Sequence, residues 1–343
     1  MQRAGALTQL GGITRFEYCD GKAKGVTALR VKTAAGLEFT VLPEKGLSIF
    51  EAAYQGRSLC WHSSTGVVHP AYYDSQNIQW LKTFDGGLLT TCGLAAAGQP
   101  CEDQGEQLGL HGAISNIAAE HVSWREEWKD DELLLTIEGR VRESHLFGPN
   151  LTMRRVIQTS LAGRFLRLSD CIENEGGEDA PLMVIYHCNF GFPLLTDRSR
   201  IYAPSRQADP RTDFAALHKE SWQVFEAPSA GIGERVYYHD MAAGADGRVR
   251  VVLVSDDAVR DFGVELSYQT ATLPRLIEWK LTGSGSFVLG LEPANCKAEG
   301  RKAEREAGTL RILRPGEEEK FEIELRVLDG EPEVAEAIAG LAL

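Results

Sequence analysis

A chain of 343 residues can hold one large domain or two ordinary ones, and its 36 Lys plus Arg against 49 Asp plus Glu leave a net charge of −13. Nucleic acid and anionic membrane surfaces demand a basic footprint, so that balance argues against both as partners. A small neutral substrate fits better.

Taken in chain order, the start Met1-Gln2-Arg3-Ala4-Gly5-Ala6-Leu7 lacks the apolar core of a signal peptide. Nowhere do about 18 apolar residues run together, which predicts no membrane-spanning helix. Seven cysteines (Cys19, Cys60, Cys92, Cys101, Cys171, Cys188, Cys296) are an odd number without a CxxC spacing. Reduced thiols in a cytoplasmic protein are therefore expected. Short segments rich in Val, Ile, Leu, Thr and Phe then follow one another, cut by Gly, Asn, Asp and Pro turns. Strands are predicted over 26–31, 37–42, 47–53 and 59–61, with Ala35-Gly36, Glu44-Lys45-Gly46 and Gln55-Gly56 as turns. Residues 67–107 hold Gly86-Gly87, Gly93, Gly98 and Pro100 with little alternation and read as an irregular loop excursion. Long ordered loops of this kind tend to carry function. The strand pattern returns at 133–141, 151–160, 165–173 and 181–190, and again at 249–255, 262–269, 276–281, 287–291, 310–313 and 320–327. Helical periodicity is confined to the tail, 332–343, where Val334, Ile338 and Leu341 recur behind Pro332. So many strands without interleaved helices predict an all-β fold, a large sandwich of antiparallel strands. No linker is visible, so 1–343 reads as one domain.

Three patches carry titratable side chains at or just after strand-like runs: Gly109-Leu110-His111-Gly112, Met183-Val184-Ile185-Tyr186-His187-Cys188-Asn189-Phe190, and Gly290-Leu291-Glu292-Pro293. Each has an ordinary reading beside a functional one. His187 is either a satisfied core histidine or a proton donor, and alternation puts it on one strand face with Asn189. The glycines around His111 describe either a turn or a place where backbone approaches a ligand. Glu292 ends an apolar strand, where an unpaired carboxylate is costly, so it has a basic partner or is a base tuned by its setting. His62, His69, His121, His145, His218 and His239 show no HxH or HxxxH pair, so no metal is expected. No phosphate-cradling loop is present, so no nucleotide cofactor is expected either. Trp61, Trp80 and Trp279 could stack on a sugar face or fill the core.

The order Gly-Leu-His-Gly, then a strand ending in Tyr-His-x-Asn-Phe, then Leu-Glu-Pro resembles the aldose 1-epimerase (galactose mutarotase) superfamily. Trp80-Leu81-Lys82-Thr83-Phe84-Asp85-Gly86-Gly87-Leu88-Leu89-Thr90-Thr91-Cys92-Gly93-Leu94, with Gly109 to Gly112, is similar to a bacterial branch of aldose-1-epimerase-like proteins. The resemblance runs from about Gly36 to Val327. It implies a galactose mutarotase-like supersandwich and assigns roles: Glu292 the general base at the anomeric hydroxyl, His187 the acid at the ring oxygen, and His111 a support for the ring oxygen and anomeric region. Where the superfamily has an Asn-Arg substrate patch, this chain has none, and Lys82 or Arg142 would stand in. Tyr186 occupies the place of the Asn before the acid histidine, and Glu234 is the match for the acidic residue that contacts sugar hydroxyls. Asn189 and Trp279 complete the expected substrate-binding set.

The function this implies is a cofactor-independent sugar mutarotase acting on a free or modified monosaccharide. A keto-sugar isomerase, a lyase or a non-catalytic carbohydrate-binding protein on the same fold are the alternatives. The expected partner is a small-molecule sugar, with a homodimer as the expected assembly. His111, His187 and Glu292 are expected to converge on one cleft. The pH profile is expected to rise as Glu292 loses its proton and to fall as His187 loses its own near neutrality.

Overall fold

The alternating strands pair into two large antiparallel sheets, described by a computed structural model over residues 4–341. One sheet has twelve strands and the other eight, and a two-stranded ribbon lies apart from both. Leu29, Phe39, Ile49 and Leu94 of the larger sheet meet Ile137, Met153, Leu168 and Val264 of the smaller in one core. Each such side chain contributes about 1.5–3 kcal/mol on burial, so the β-branched and aliphatic positions predicted from alternation are also what hold the sheets together.

Five neighbouring strands of the larger sheet position the site. They are β1 (Leu89–Leu94), β2 (Ala180–Gly191), β3 (Arg235–Met241), β4 (Arg275–Gly283) and β5 (Ser286–Ala294), and they lie side by side in the order β1-β2-β5-β4-β3. All four ladders are antiparallel.

Several sequence expectations are corrected. The stretch 67–107 is not irregular throughout, because β1 runs through its middle as a central strand with all six residues buried. A strand covered on both faces loses the polar alternation that makes strands visible. The predicted strand at 59–61 is an isolated bridge between Cys60 and Phe190, beside a two-residue strand at Arg57–Ser58. Glu120–Lys129 is a strand that alternation misses, since as the edge of the smaller sheet it is exposed almost throughout and heavily charged. The C-terminal helix spans Glu331–Ala339, and residues 342 and 343 of the predicted tail helix lie outside the described residues. Among the described residues no helix is long and apolar enough to cross a membrane. All seven cysteines are unpaired.

One buried ion pair ties the sheets together behind the site. Arg155, on strand Asn150–Ser160, donates from Nε and Nη2 to the two carboxylate oxygens of Asp170, on strand Phe165–Asn174, at 2.8 and 2.6 Å. The same Nη2 reaches across to Thr91 Oγ1 on β1 at 2.7 Å, and the Tyr186 hydroxyl on β2 donates to Asp170 Oδ2 at 2.7 Å. Breaking one half of such a pair strands the other charge in the core. Asp170→Ala is therefore expected to lower unfolding free energy by about 3–5 kcal/mol in urea titrations. A loss under about 1 kcal/mol would show that the Gly46 and Leu47 carbonyls, which Arg155 also contacts, satisfy the guanidinium alone.

Candidate active site

Strand alternation sorts the five strands into two faces. Register pairs Ile185 with Cys92, Ile277 with Glu292, Trp279 with Gly290, and Val236 with Trp279, so all of these point away from the second sheet. The pairings Ile185 with Ala294 and Cys188 with Leu291 keep one register, which sets His187 directly opposite Glu292 on the neighbouring strand. Tyr186, Cys188 and Leu291 take the other face and join the inter-sheet core. Tyr186 thus belongs to the Asp170 tether and not to the cleft.

The site face opens into a cleft of about 330 Å³ lined by His111, His187, Glu234, Glu292, Trp61, Trp80 and Trp279 among others. His187 Nε2 and Glu292 Oε1 lie 3.2 Å apart, with 5 % and 2 % of each residue exposed. Gly290 makes room for that carboxylate: a Cβ at this position would stand 2.5 Å from Glu292 Oε1 and 3.1 Å from Trp279 Cβ. The sequence Gly-Leu-Glu therefore uses its glycine as a vacancy into which the side chain two residues later folds.

His111 arrives from a loop. Its φ of 60° lies in the left-handed region, and its amide donates to Gly98 O at 2.8 Å while its carbonyl accepts from Gly93 N at 3.0 Å. A Cβ on Gly112 would meet Ala96 O at 2.3 Å and Gly93 O at 2.4 Å, and one on Gly109 would meet Ser75 O at 2.0 Å. Gly112 is thus required for the loop to lie against β1, and Gly109 for it to pass the backbone at Ser75 and Asn77. The His111 ring packs on Trp80 at 4.8 Å and edge-on to His187 at 5.9 Å between centroids. Trp80 is itself fixed by an Nε1–H bond to Ser115 Oγ at 3.0 Å.

Burial dominates the electrostatics. It raises the Glu292 carboxyl well above the usual carboxylate range, with Glu234 adding to the effect and Arg211 opposing it. It pushes His187 down to about 4, against a smaller upward contribution from Asn189. His111 falls to about 3 through burial and then through its neighbours His187 and Arg211. Both directions say the same thing: the free site favours uncharged groups.

The predicted site residues divide accordingly. His111, His187, Glu292, Glu234 and Trp279 converge on the cleft. Glu234 stands at its exposed rim and accepts from Trp279 Nε1 at 3.0 Å. Lys82, Arg142 and Asn189 do not line it. Lys82 is exposed on the 3-10 turn Gln79–Lys82, of which Trp80 and Leu81 take the cleft side. Arg142 belongs to the smaller sheet, paired with Glu175 at 2.7 Å and Asn150 Oδ1 at 2.8 Å. Asn189 is wholly buried, its Nδ2 donating to Gly87 O and His187 O at 3.0 Å each. The cation that does line the cleft is Arg211, held by Glu299 at 3.1 Å. It sits after Asp209-Pro210 with no motif around it, so only the fold reveals it. Gln99, Ser63 and Ser286 are further polar lining groups without a sequence signal. Among the described residues no group of three or more His, Cys, Asp or Glu side chains is placed to hold a metal ion.

Comparison with known structures follows the same lines. A candidate aldose 1-epimerase from Klebsiella pneumoniae subsp. pneumoniae superimposes with a TM-score of 0.91 at 26% identity, over 96% of this chain and 86% of that one. A galactose mutarotase-like protein from Clostridium acetobutylicum gives 0.63 at 12% identity, over 93% and 99% of the two chains. Galactose 1-epimerase from Lactobacillus acidophilus gives 0.59 at 12%, again over 93% and 99%. The two last show the fold alone, which is galactose mutarotase-like. No curated protein matches the sequence. A family model, that of a domain of unknown function (DUF4432), matches residues 23–327, and the chain belongs to that family.

Proposed function

We propose that the protein is a sugar mutarotase, interconverting the anomers of a free or modified monosaccharide in the cleft described above. The observation that carries this reading is the Glu292–His187 pair, an acid and a base 3.2 Å apart at the floor of an aromatic cleft. Opening a hemiacetal needs one group to take the proton of the anomeric hydroxyl and another to give one to the ring oxygen. With the proton on His187, the Glu292 carboxylate removes the O1 hydrogen, the O1 electron pair forms the C1 carbonyl, the C1–O5 bond breaks, and His187 protonates O5. Rotation about C1–C2 presents the other carbonyl face, and the same groups reclose the ring in reversed roles. The pair starts and ends with one proton, so nothing else is consumed. Trp61 and Trp279, 6.0 Å apart and edge-on, offer apolar faces to the sugar ring. Glu234, Arg211, Gln99, Ser63 and Ser286 are the polar groups left for its remaining hydroxyls.

Pure α and β anomers of a panel of aldoses, followed by NMR, test the reading directly. Enzyme-dependent interconversion of at least one is expected, and Glu292→Gln is expected to lower it by on the order of 10²-fold or more with the fold retained. Binding without any turnover across the panel would point to a carbohydrate-binding protein instead.

The proton count also sets the pH profile, and it reverses the order of limbs expected from sequence. A second proton enters the pair where His187 titrates, at about 4, and leaves no base. The last proton leaves from Glu292, whose affinity burial has raised, and leaves no acid. kcat/KM is expected to hold steady through weakly acidic pH, to fall as pH drops through about 4, and to fall on the alkaline side with the raised carboxyl. A falling limb that vanished in a His187 variant but persisted in Glu292→Gln would contradict this assignment.

Gly290→Ala separates chemistry from folding. No left-handed φ holds that glycine, so alanine suits the strand backbone, yet its Cβ would displace the Glu292 carboxylate. Stability is expected within about 1 kcal/mol of the parent, while anomerisation falls on the order of 10²-fold. Unchanged turnover would show that the carboxylate works from another rotamer.

A further inference from the structure

Asn189 is predicted from sequence as a sugar contact, and the structure gives it different surroundings. Both of its buried contacts run to carbonyl oxygens, Gly87 O and His187 O, so both must come from the amide nitrogen. This fixes which way the amide faces. Its Oδ1 is left buried without a partner, and so is Nδ1 of His187. The two residues stand two apart on one face of β2, within about 7 Å along the strand. The contact falls short of full hydrogen-bond geometry in the free protein, yet Asn189 is the neighbour whose side chain raises the proton affinity of His187 against burial.

The chemistry of the two atoms decides the proton's place. An amide oxygen only accepts, so it tolerates a histidine nitrogen that carries a hydrogen and repels one that presents a lone pair. Holding the proton on Nδ1 leaves Nε2 with its lone pair toward Glu292, the nitrogen 3.2 Å from that carboxyl. We propose that Asn189 is a positioning residue that keeps neutral His187 as its Nδ1–H tautomer, so that Nε2 alone exchanges the working proton with Glu292 and the substrate ring oxygen.

The inference rests on reading His187 as the proton donor. A structural role for Asn189 explains its amide donors but not an orphaned oxygen beside an orphaned ring nitrogen. The same alternation that makes Asn189 and His187 share a face also places Asn189 opposite Gly290, so the pair His187–Glu292 is backed by the pair Asn189–Gly290. One cross-strand couple supplies the reacting groups, and the next orients them.

Nitrogen-15 NMR of histidine-labelled protein, without sugar and at pH 7, tests the proposal whatever the enzyme's substrate. His187, assigned by the resonance lost in His187→Gln, is expected to show a protonated Nδ1 and an unprotonated Nε2. In Asn189→Ala the two tautomers are expected to mix, and kcat for anomerisation to fall about 10-fold or more with KM changed far less. A wild-type signal with the proton on Nε2 overturns the assignment, and so does an Asn189→Ala protein that folds and keeps both tautomer and kcat. The wild-type spectrum decides the matter even where the alanine variant fails to fold. Absence of any anomerase activity alongside an Nδ1–H signal would sink the mutarotase reading and leave the tautomer assignment standing.

Discussion

Two-residue alternation is the constraint on which everything else in this structure depends. In an isolated strand it only separates an inside from an outside. Across five hydrogen-bonded strands in fixed register it builds two different interiors back to back. Tyr186, Thr91 and Leu291 face the second sheet and serve cohesion, while His187, Glu292 and Trp279 face the cleft, where the proposed chemistry would take place. A slip of one residue on β2 would exchange His187 for Tyr186 or Cys188 and strand the Asp170 carboxylate without its tyrosine. Stability and function are thus read from the same register, and selection on one holds the other.

Burial is what sets His187 and Glu292 apart from two common residues. A carboxyl and an imidazole at the surface would both be ionised for much of the pH range and would form a weak ion pair. Between Trp279, Phe84 and the strands, neither charge is well solvated, so each group's ordinary proton affinity is overturned in the direction that favours neutrality. The neutral and ionic forms of the pair then differ by one short transfer. In the proposed reaction, sugar hydroxyls entering the cleft would bring back the polarity that the ionic form lacks, tipping the pair toward the state that would react.

The sequence shows the parts of the site that follow from local pattern. His187 and Glu292 are legible because each sits in a strongly apolar run where a titratable group is conspicuous, and His111 because glycines bracket it. Face assignment by alternation also holds for Asn189, which shares the side of His187, but sequence could not say that a carbonyl at Gly87 would claim its amide. Lys82 and Arg142 fail for a related reason. A missing cation invites any nearby base as substitute, and only three-dimensional placement shows that Arg142 lies on the other sheet and that Arg211, about a hundred residues from the glycine loop, lies in the cleft. The strand β1 was hidden by its own importance, since a segment buried on both faces carries no polar beat.

The division of labour between sheet and loops has a consequence for how such a site can change. The proposed proton pair is mounted on β2 and β5, whose neighbours fix it on both sides, and Asn189 and Gly290 occupy the next register positions. Apart from Trp279 on β4 and Ser286 at the start of β5, the groups that would meet the rest of a sugar come from elsewhere: Trp61 and Ser63 from the segment after the short strand Arg57–Ser58, Leu81 from a 3-10 turn, Gln99 from the glycine loop region and Arg211 from the stretch after Ser205–Pro210. Loop positions can be substituted without moving a ladder hydrogen bond, whereas a change on β2 or β5 reaches the inter-sheet core within one residue. Hemiacetal chemistry is the same for every aldose, and hydroxyl pattern is what distinguishes them. Under the proposed function, an architecture that keeps the shared chemistry on the rigid sheet and most of the discriminating contacts on the loops could therefore alter its sugar while leaving its proton transfer intact.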